Sequence, residues 1–328
     1  MGMSLPSSST APLFILLNAG SGCGDSEAVR QVVDGVLGSA GRRYRIVTPE
    51  RGAQIPLAAR RAAEQACAQG GVVVAAGGDG TLNAVAQAAH DTGCPMGVLP
   101  LGTFNYFGRT HGIPLDVEEA TRTLLTAKVH PVQVGLVNDR VFLVNASVGL
   151  YPELLEDRER FKTRYGRRRL VALAAAIVTL MRSRPQLRLR IELGGQVRDV
   201  RSSTLFVGNN RLQLEQVGIP HAPAVDHGRV AAVMLRPMST WAMLGLILRG
   251  AMGTLGDAER VESFQFQHMT VTPWLPYGRR IKVAADGEVM LMHTPLEFRV
   301  SPRPLYLLKA EEVAHPDAAA GVAAGAGA

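Results

Sequence analysis

The sequence predicts an α/β protein in which an N-terminal parallel-sheet domain precedes a C-terminal, predominantly antiparallel β-sandwich. Three observations carry this. Up to about Val129, apolar strand-like runs alternate with helical segments of about 10–15 residues, the pattern of a parallel sheet. Beyond Val129, short strand-like stretches with turn signals between them dominate. Glycine-bearing loops follow Leu17, Ala76 and Leu101, all at the strand ends where parallel sheets bind ligands.

Residues 1–10 read as an unstructured leader. Leu13 to Leu17 is a buried strand, followed by the loop Asn18-Ala19-Gly20-Ser21-Gly22-Cys23-Gly24. A helix runs from Ser26 to about Leu37, a strand from Tyr44 to Val47, and an Ala-rich helix from Pro56 to Gln69. In VVVAAGGDGTLNAVAQAA, residues 72–89, the β-branched start is a buried strand, and apolar residues at 82, 85, 86 and 89 have helical spacing. Between them sits Gly77-Gly78-Asp79-Gly80-Thr81. Such a turn bares backbone N–H groups beside a helix N-terminus, which suits a phosphate. It also suits a plain tight turn with Asp79 or Thr81 as the helix N-cap. Met96 to Leu99 is the next strand, leading into Pro100-Leu101-Gly102-Thr103-Phe104-Asn105. The first domain is thus placed at residues 11–130, with 303–312 as candidates to complete its sheet.

The β-rich domain is placed at residues 131–302. Its strands are expected at Val132 to Val137, Val141 to Val144, Leu187 to Leu193, Ser203 to Val207, Val230 to Leu235, Phe264 to Val271, Ile281 to Ala285 and Glu297 to Val300. A helical insertion at 154–182 interrupts them, and the Ala/Gly tail at 317–328 reads as disordered.

Composition bounds the class of partner. The chain has 328 residues, enough for two domains at about 150 residues each. A 47% hydrophobic content and a mean hydropathy of +0.09 fit a packed globular protein. The formal net charge of +7 favours anionic partners: nucleotides, nucleic acid or lipid head groups. Cys23, Cys67 and Cys94 form neither a disulfide framework nor a zinc pattern, so a reducing cytoplasm is expected. The stretch MGMSLPSSSTAP has no basic n-region and no apolar h-region, so no secretory signal is expected. No uninterrupted apolar run reaches the about 18 residues of a membrane span.

A second constellation is VAADGEVM, residues 283–290. Strand, Asp286-Gly287, strand is a β-hairpin signal that accounts for both turn residues but does not require Glu288. A carboxylate on such a hairpin beside a phosphate site can take the proton of an attacking hydroxyl. A third is residues 156–184, where seven basic residues between Arg158 and Arg169 precede an apolar helical run. It reads either as a solvated helix face followed by a core helix, or as an interfacial patch for anionic head groups. Only Phe161 and Tyr165 interleave the charges as stacking residues, so a nucleic-acid partner is not expected. The eight histidines show no metal-binding spacing.

With these residues assembled, the chain resembles the diacylglycerol kinase catalytic-domain family, from about Pro12 to Leu308. That family includes bacterial lipid kinases and sphingosine and ceramide kinases, and shares a nucleotide fold with NAD kinases. The resemblance implies that Gly77, Gly78, Asp79, Gly80 and Thr81 cradle ATP phosphates, with Asn18, Ser21 and Gly22, Thr48, and Gly102, Thr103 and Asn105 completing the nucleotide site. It implies Glu288 as general base, with Asp286 and Asp79 beside it as catalytic residues. Asp79 either holds Mg²⁺ or orients the acceptor. Ala19 stands where proline is common, and Phe104 and Tyr106 depart from the usual Gly-Thr-Gly-Asn-Asp loop. At the family's structural magnesium pair the best match is His227-Gly228, with Asp226 one residue early, and imidazole is a poor magnesium ligand.

The expected function is therefore ATP- and Mg²⁺-dependent phosphoryl transfer to a lipid hydroxyl, diacylglycerol-like or sphingoid, in phospholipid metabolism. Contact with an anionic membrane surface at the inner face of the cytoplasm is expected, and a homodimer is left open. The alternatives are a soluble NAD-kinase-like enzyme and a non-catalytic nucleotide-binding regulator.

Overall fold

The computed structural model describes residues 10–18, 26–150, 152, 186–237, 242, 245, 249, 252–257, 260–274 and 280–311. Ser21, Gly22 and Cys23, the expected helix at 154–182 with its basic segment, and the tail at 317–328 lie outside the described residues.

The chain begins with β1 (Leu13–Leu17), α1 (Ser26–Ser39), β2 (Tyr44–Val47), α2 (Ile55–Ala68), β3 (Val72–Gly77), α3 (Asp79–Thr92) and β4 (Met96–Pro100). A short α4 (Tyr106–Thr110), α5 (Val117–Thr126) and β5 (Lys128–Val132) follow. Helix α1 buries Val29, Val33 and Leu37, while α2 buries Ala59, Ala62, Ala63 and Ala66. Pro56 sits in the first turn of α2, where a missing N–H costs nothing. Helix α3 stops at Gly93, in the left-handed conformation at φ 72°. Alternate residues of β1 and β3 enter opposite cores: Phe14, Leu16, Val73 and Ala75 pack with α2 and α3 residues, Leu13, Ile15, Val72 and Val74 with α1 and α5 residues. A sheet covered on both faces in this way needs strands that are apolar throughout, and β1, β3 and β4 are fully buried.

The remaining strands are β6 (Gly135–Val137), β7 (Arg140–Phe142), β8 (Asn145–Gly149), β9 (Leu187–Leu193), β10 (Gln196–Ser202) and β11 (Thr204–Gly208). After α6 (Arg211–Gln216) come β12 (Val230–Leu235), β13 (Val261–Phe266), β14 (His268–Pro273), β15 (Arg280–Ala285), β16 (Glu288–His293), β17 (Leu296–Val300) and β18 (Leu305–Lys309). The first sheet runs β2-β1-β3-β4-β18-β5, with only β5 antiparallel to its neighbour. The other two are antiparallel, β10-β9-β14-β17-β6-β7 and β13-β12-β11-β8-β15-β16. They share one core, in which Phe142, Ile191 and Phe298 of one sheet pack with Val148, Val207 and Val283 of the other.

Two expected strands are divided and a third is cut short. Residues 132–137 split between β5 and β6 and residues 264–271 between β13 and β14, while the strand expected at 141–144 ends with β7 at Phe142, ahead of β8 at Asn145. In each case the strands before and after the break belong to different sheets. The chain turns a corner between layers while its apolar residues stay buried, so hydrophobicity runs on through the break. Cross-sheet polar contacts then lock the layers together. Val141 N–H donates to Gln87 Oε1 of α3 at 2.8 Å, and Asn210 Nδ2 reaches Thr110 Oγ1 at 2.9 Å.

Phe298 is fully buried and lies opposite Met269 on one side and Val137 on the other. Phe298→Ala should lower unfolding free energy by about 3–5 kcal/mol, read as a lower urea midpoint, because a ring-sized cavity remains. An unchanged midpoint would mean that the two antiparallel sheets do not unfold as a packed unit.

Candidate active site

At the carboxyl edge of the first sheet, three loops meet. Asn18, after β1, donates its backbone N–H to Ala76 O at 2.9 Å and its Nδ2 to Thr81 Oγ1 at 2.9 Å. Leu101, after β4, donates its N–H to Gly77 O at 3.0 Å. Gly102 lies so close to the middle loop that a Cβ there would stand 3.0 Å from Gly78 Cα and 2.8 Å from Asn105 Oδ1. Asn105 takes the left-handed conformation, and its amide closes the loop on itself, accepting from Gly102 N–H at 3.1 Å and donating to Gly102 O at 2.8 Å.

Helix α3 begins at Asp79 rather than Leu82, three residues earlier than its apolar spacing implies. Its N-cap is Gly78, in extended conformation, with no side-chain capping bond. Neither Asp79 nor Thr81 caps the helix, so the simple tight-turn explanation of those two residues fails. Thr81 is buried with its hydroxyl turned to Asn18, and Asp79 faces the cleft. Gly78 and Gly80 also lack positive φ, so left-handed strain is not what requires glycine there. Bare backbone at the start of a fourteen-residue helix is what remains, and that is an anion-binding arrangement.

This edge opens into a cleft of about 500 Å³ lined by Asn18, Gly78, Asp79, Gly80, Thr81 and Glu288, and also by Gly52, Ala53, Ile55, Pro56 and Ala84. Thr48 and Thr103 are exposed and stand outside that lining. Phe104 and Tyr106 stack face to face, ring centroids 5.8 Å apart and planes 1° from parallel, with Phe104 half exposed. The third loop therefore carries a rigid aromatic platform where a flexible residue was the family expectation.

Glu288 arrives from the other half of the molecule. The two-residue turn Asp286-Gly287, with φ 46° and 87°, joins β15 to β16 and sets Ala285 opposite Glu288. Glu288 Oε1 lies 3.3 Å from where a Cβ on Gly80 would be, and its Oε2 is 3.3 Å from Arg140 Nη2. Glu288 and the Gly78–Thr81 backbone thus line the same cleft.

Asp286 points away from it. Its Oδ1 accepts from Val144 N–H at 2.8 Å and Asn145 N–H at 3.0 Å, and its Oδ2 from Leu143 N–H and Asn83 Nδ2, both at 2.7 Å. Burial raises this carboxyl above the usual range, and the four donors oppose that shift without cancelling it. The donors decide its state. A proton on either oxygen would remove one of the four bonds and oppose an O–H to an N–H, so Asp286 sits as a carboxylate with its acceptor positions filled. It organises the site rather than entering it.

Asn83 and Arg140 are the functional residues that sequence reasoning missed. Asn83 is one helical turn beyond Asp79 on the same face of α3, and that spacing was legible. Its Nδ2 also donates to Val141 O at 3.0 Å, so its Oδ1 faces Arg140 Nη2 at 3.0 Å. Arg140 follows the turn at Asn138-Asp139, and no local pattern marks it.

Burial, and then the negative charge of Asp286, push the Asp79 carboxyl above its ordinary range. Among the described residues no three His, Cys, Asp or Glu side chains cluster to hold a metal, and Asp226 pairs with Arg211. One carboxylate facing a phosphate-sized cradle does suit a magnesium ion that arrives on a nucleotide, which needs only one or two protein carboxylates. A raised folded-state value means that the native protein keeps the Asp79 proton longer than the unfolded chain does. Stability is therefore lost as pH rises through the window above the ordinary carboxylate range. Asp79→Asn should raise the melting temperature at pH 7, and the gain should vanish at a pH where both states are protonated. A lower melting temperature at pH 7 would contradict this environment for Asp79.

Comparison with known proteins now bears on the same residues. Residues 12–137 match the model of the diacylglycerol kinase catalytic domain. A protein named probable lipid kinase YegS-like, from Cronobacter sakazakii, is 34% identical over 166 residues, 48% of this chain and 53% of that one. A diacylglycerol kinase of Bacillus subtilis is 37% identical over 113 residues, 33% of this chain and 37% of its own. The chain spans about half the length of the first of these and less of the second. A solved diacylglycerol kinase structure from Bacillus anthracis shares the fold, with a TM-score of 0.65 at 18% identity, over 92% of this chain and 97% of that one. Residues 12–137 thus carry a match to the diacylglycerol kinase catalytic domain, on a chain whose fold is that of a solved diacylglycerol kinase.

Proposed function

We propose that the protein is an ATP-dependent lipid kinase, which transfers the γ-phosphoryl group to a lipid hydroxyl of diacylglycerol or sphingoid type. One observation carries this reading: the Glu288 carboxylate lies beside the backbone of Gly80 at the head of α3, both lining one cleft. The N–H groups of the Gly77–Thr81 loop hold the phosphates. Residues 131–302 present the lipid. As the acceptor oxygen bonds to the γ-phosphorus and the bond to ADP breaks, Glu288 takes the hydroxyl proton. A magnesium ion held by Asp79 and the phosphate oxygens would supply positive charge for the transferring group. Asp286 positions the Glu288 hairpin and takes no part in the proton transfer.

Among the described residues no helix is long and apolar enough to cross a membrane. In the proposed function the segment Arg158–Arg169 holds the enzyme on an anionic inner membrane face, each basic residue near the surface contributing about 1 kcal/mol. Co-sedimentation with anionic vesicles should therefore weaken with added salt and with charge reversal at Arg167 to Arg169. Binding indifferent to both would remove the membrane role from this segment.

Purified protein given γ-labelled ATP and a panel of lipids in mixed micelles should label a lipid hydroxyl. Label on a water-soluble acceptor would favour the NAD-kinase-like reading, and ATP binding without turnover the regulatory one. Glu288→Gln keeps the shape but removes the proton acceptor, so kcat should fall by about 10²–10⁴-fold with ATP affinity nearly unchanged. Near wild-type turnover in that variant would exclude Glu288 as the base.

A further inference from the structure

Arg140 is absorbed neither by the sequence motifs nor by the phosphate cradle, yet its guanidinium lies between the two halves of the site. Its side chain is 26% exposed, against 50% for its partner Glu288. Its Nη2 is shared between Asn83 Oδ1 at 3.0 Å and Glu288 Oε2 at 3.3 Å. Its Nε is buried with no hydrogen-bond partner among the described residues, so the group is held here at a cost that its other contacts must offset.

Each partner is fixed in turn. Asn83 is 1% exposed and gives both Nδ2 hydrogens away, to Asp286 Oδ2 and Val141 O. Its amide therefore cannot flip without setting an NH₂ against the guanidinium and a carbonyl oxygen against the Asp286 carboxylate. Asp286 is anchored by three backbone N–H groups. The chain of contacts from Asp286 through Asn83 to Arg140 ends on one particular oxygen of Glu288. Oε2 is held by the guanidinium, while Oε1 is left beside Gly80.

We propose that Arg140 is a positioning residue for the transfer reaction, holding one carboxylate oxygen of Glu288 so that the other is aimed over the phosphate loop at the acceptor hydroxyl. The proposal rests on the kinase reading for its catalytic consequence, though not for its geometry. Half-exposed glutamates ordinarily sample several rotamers. A charge-assisted bond to a guanidinium that is itself anchored removes most of that freedom. Misplacing a reacting group by about 1 Å costs about 10²-fold in rate, so aim alone is a sufficient reason for the contact.

The test uses Arg140→Met, which keeps the aliphatic packing, and Arg140→Lys, which keeps the charge, after urea titration has shown both to be folded. With γ-labelled ATP and diacylglycerol in mixed micelles, Arg140→Met should lower kcat by about 10²-fold and leave the KM for ATP within about twofold. Arg140→Lys should recover part of the loss. In a Glu288→Gln background, Arg140→Met should cost little more, because its effect passes through the carboxylate already removed. A crystal structure of Arg140→Met should show Glu288 turned away from Gly80. Unchanged kcat in Arg140→Met would overturn the proposal. So would a raised KM for ATP at constant kcat, which would make Arg140 a phosphate ligand, or full additivity with Glu288→Gln. If the wild-type protein labels no lipid, the kinase reading falls, and the crystal structure alone decides: Glu288 Oε1 still beside Gly80 refutes the positioning role, its departure supports it.

Discussion

The Asp286 carboxylate, with an N–H donor on each of its four acceptor positions, is the interaction on which the rest of the site depends. Its three backbone donors exist because of how the sandwich is wound. Strand β7 belongs to one antiparallel sheet and β8 to the other, so the chain at Leu143 and Val144 crosses between layers and has N–H groups outside any regular ladder. Buried N–H groups must be paired somewhere, and a carboxylate is the acceptor that can take several at once. Hydrogen bonds to a charged group contribute about 1.5–3 kcal/mol each, which offsets the burial of the charge. The fourth donor, Asn83, belongs to α3, so the same carboxylate ties the hairpin to the helix that opens with the phosphate loop.

The proposed phosphate cradle has a different origin, in the geometry of the parallel sheet. Loops after β1, β3 and β4 must emerge at one edge, and the pairing order puts β3 between the other two. Asn18 and Gly102 can then brace the Gly77–Thr81 turn from either side. Bracing matters because the first N–H groups of a helix have no intrahelical carbonyl to hold them, so the turn depends on neighbours for its shape. The Phe104–Tyr106 stack stiffens the third brace further. A rigid cradle loses little conformational entropy when a nucleotide binds.

Asp79 sits where these two constructions meet, half-buried and near another carboxylate. That placement works against stability, as functional groups commonly do, and in the proposed function it gains its use when a cation is shared with a bound nucleotide. The carboxylates of Asp286 and Glu288 also account for the cation near them. Arg140 neutralises charge around Glu288 while its other contact reaches the Asp286 network through Asn83. Electrostatics therefore couples residues that no single element holds together.

Sequence by itself determined the parallel sheet, the three glycine loops at its edge, the antiparallel second half and the Asp286-Gly287-Glu288 hairpin. Each is written in local terms: period-2 or 3.6 hydrophobicity, a dipeptide with positive φ, glycines at a strand–helix junction. Helix α3 began earlier than its apolar spacing implied because Gly78, extended and without a side-chain bond, is a cap that hydrophobic periodicity cannot mark. The divided strands were illegible because a chain that changes sheets keeps its apolar residues buried throughout. Tertiary structure alone decided which carboxylate organises and which one faces the cleft, a distinction between Asp286 and Glu288 that two positions of one short motif do not reveal. It alone brought Arg140 to Glu288 and Asn83 to Asp286, because contacts between residues 148 and 203 positions apart leave no periodic trace in the chain. They form only once two separate layers have packed and their unpaired polar groups must find one another.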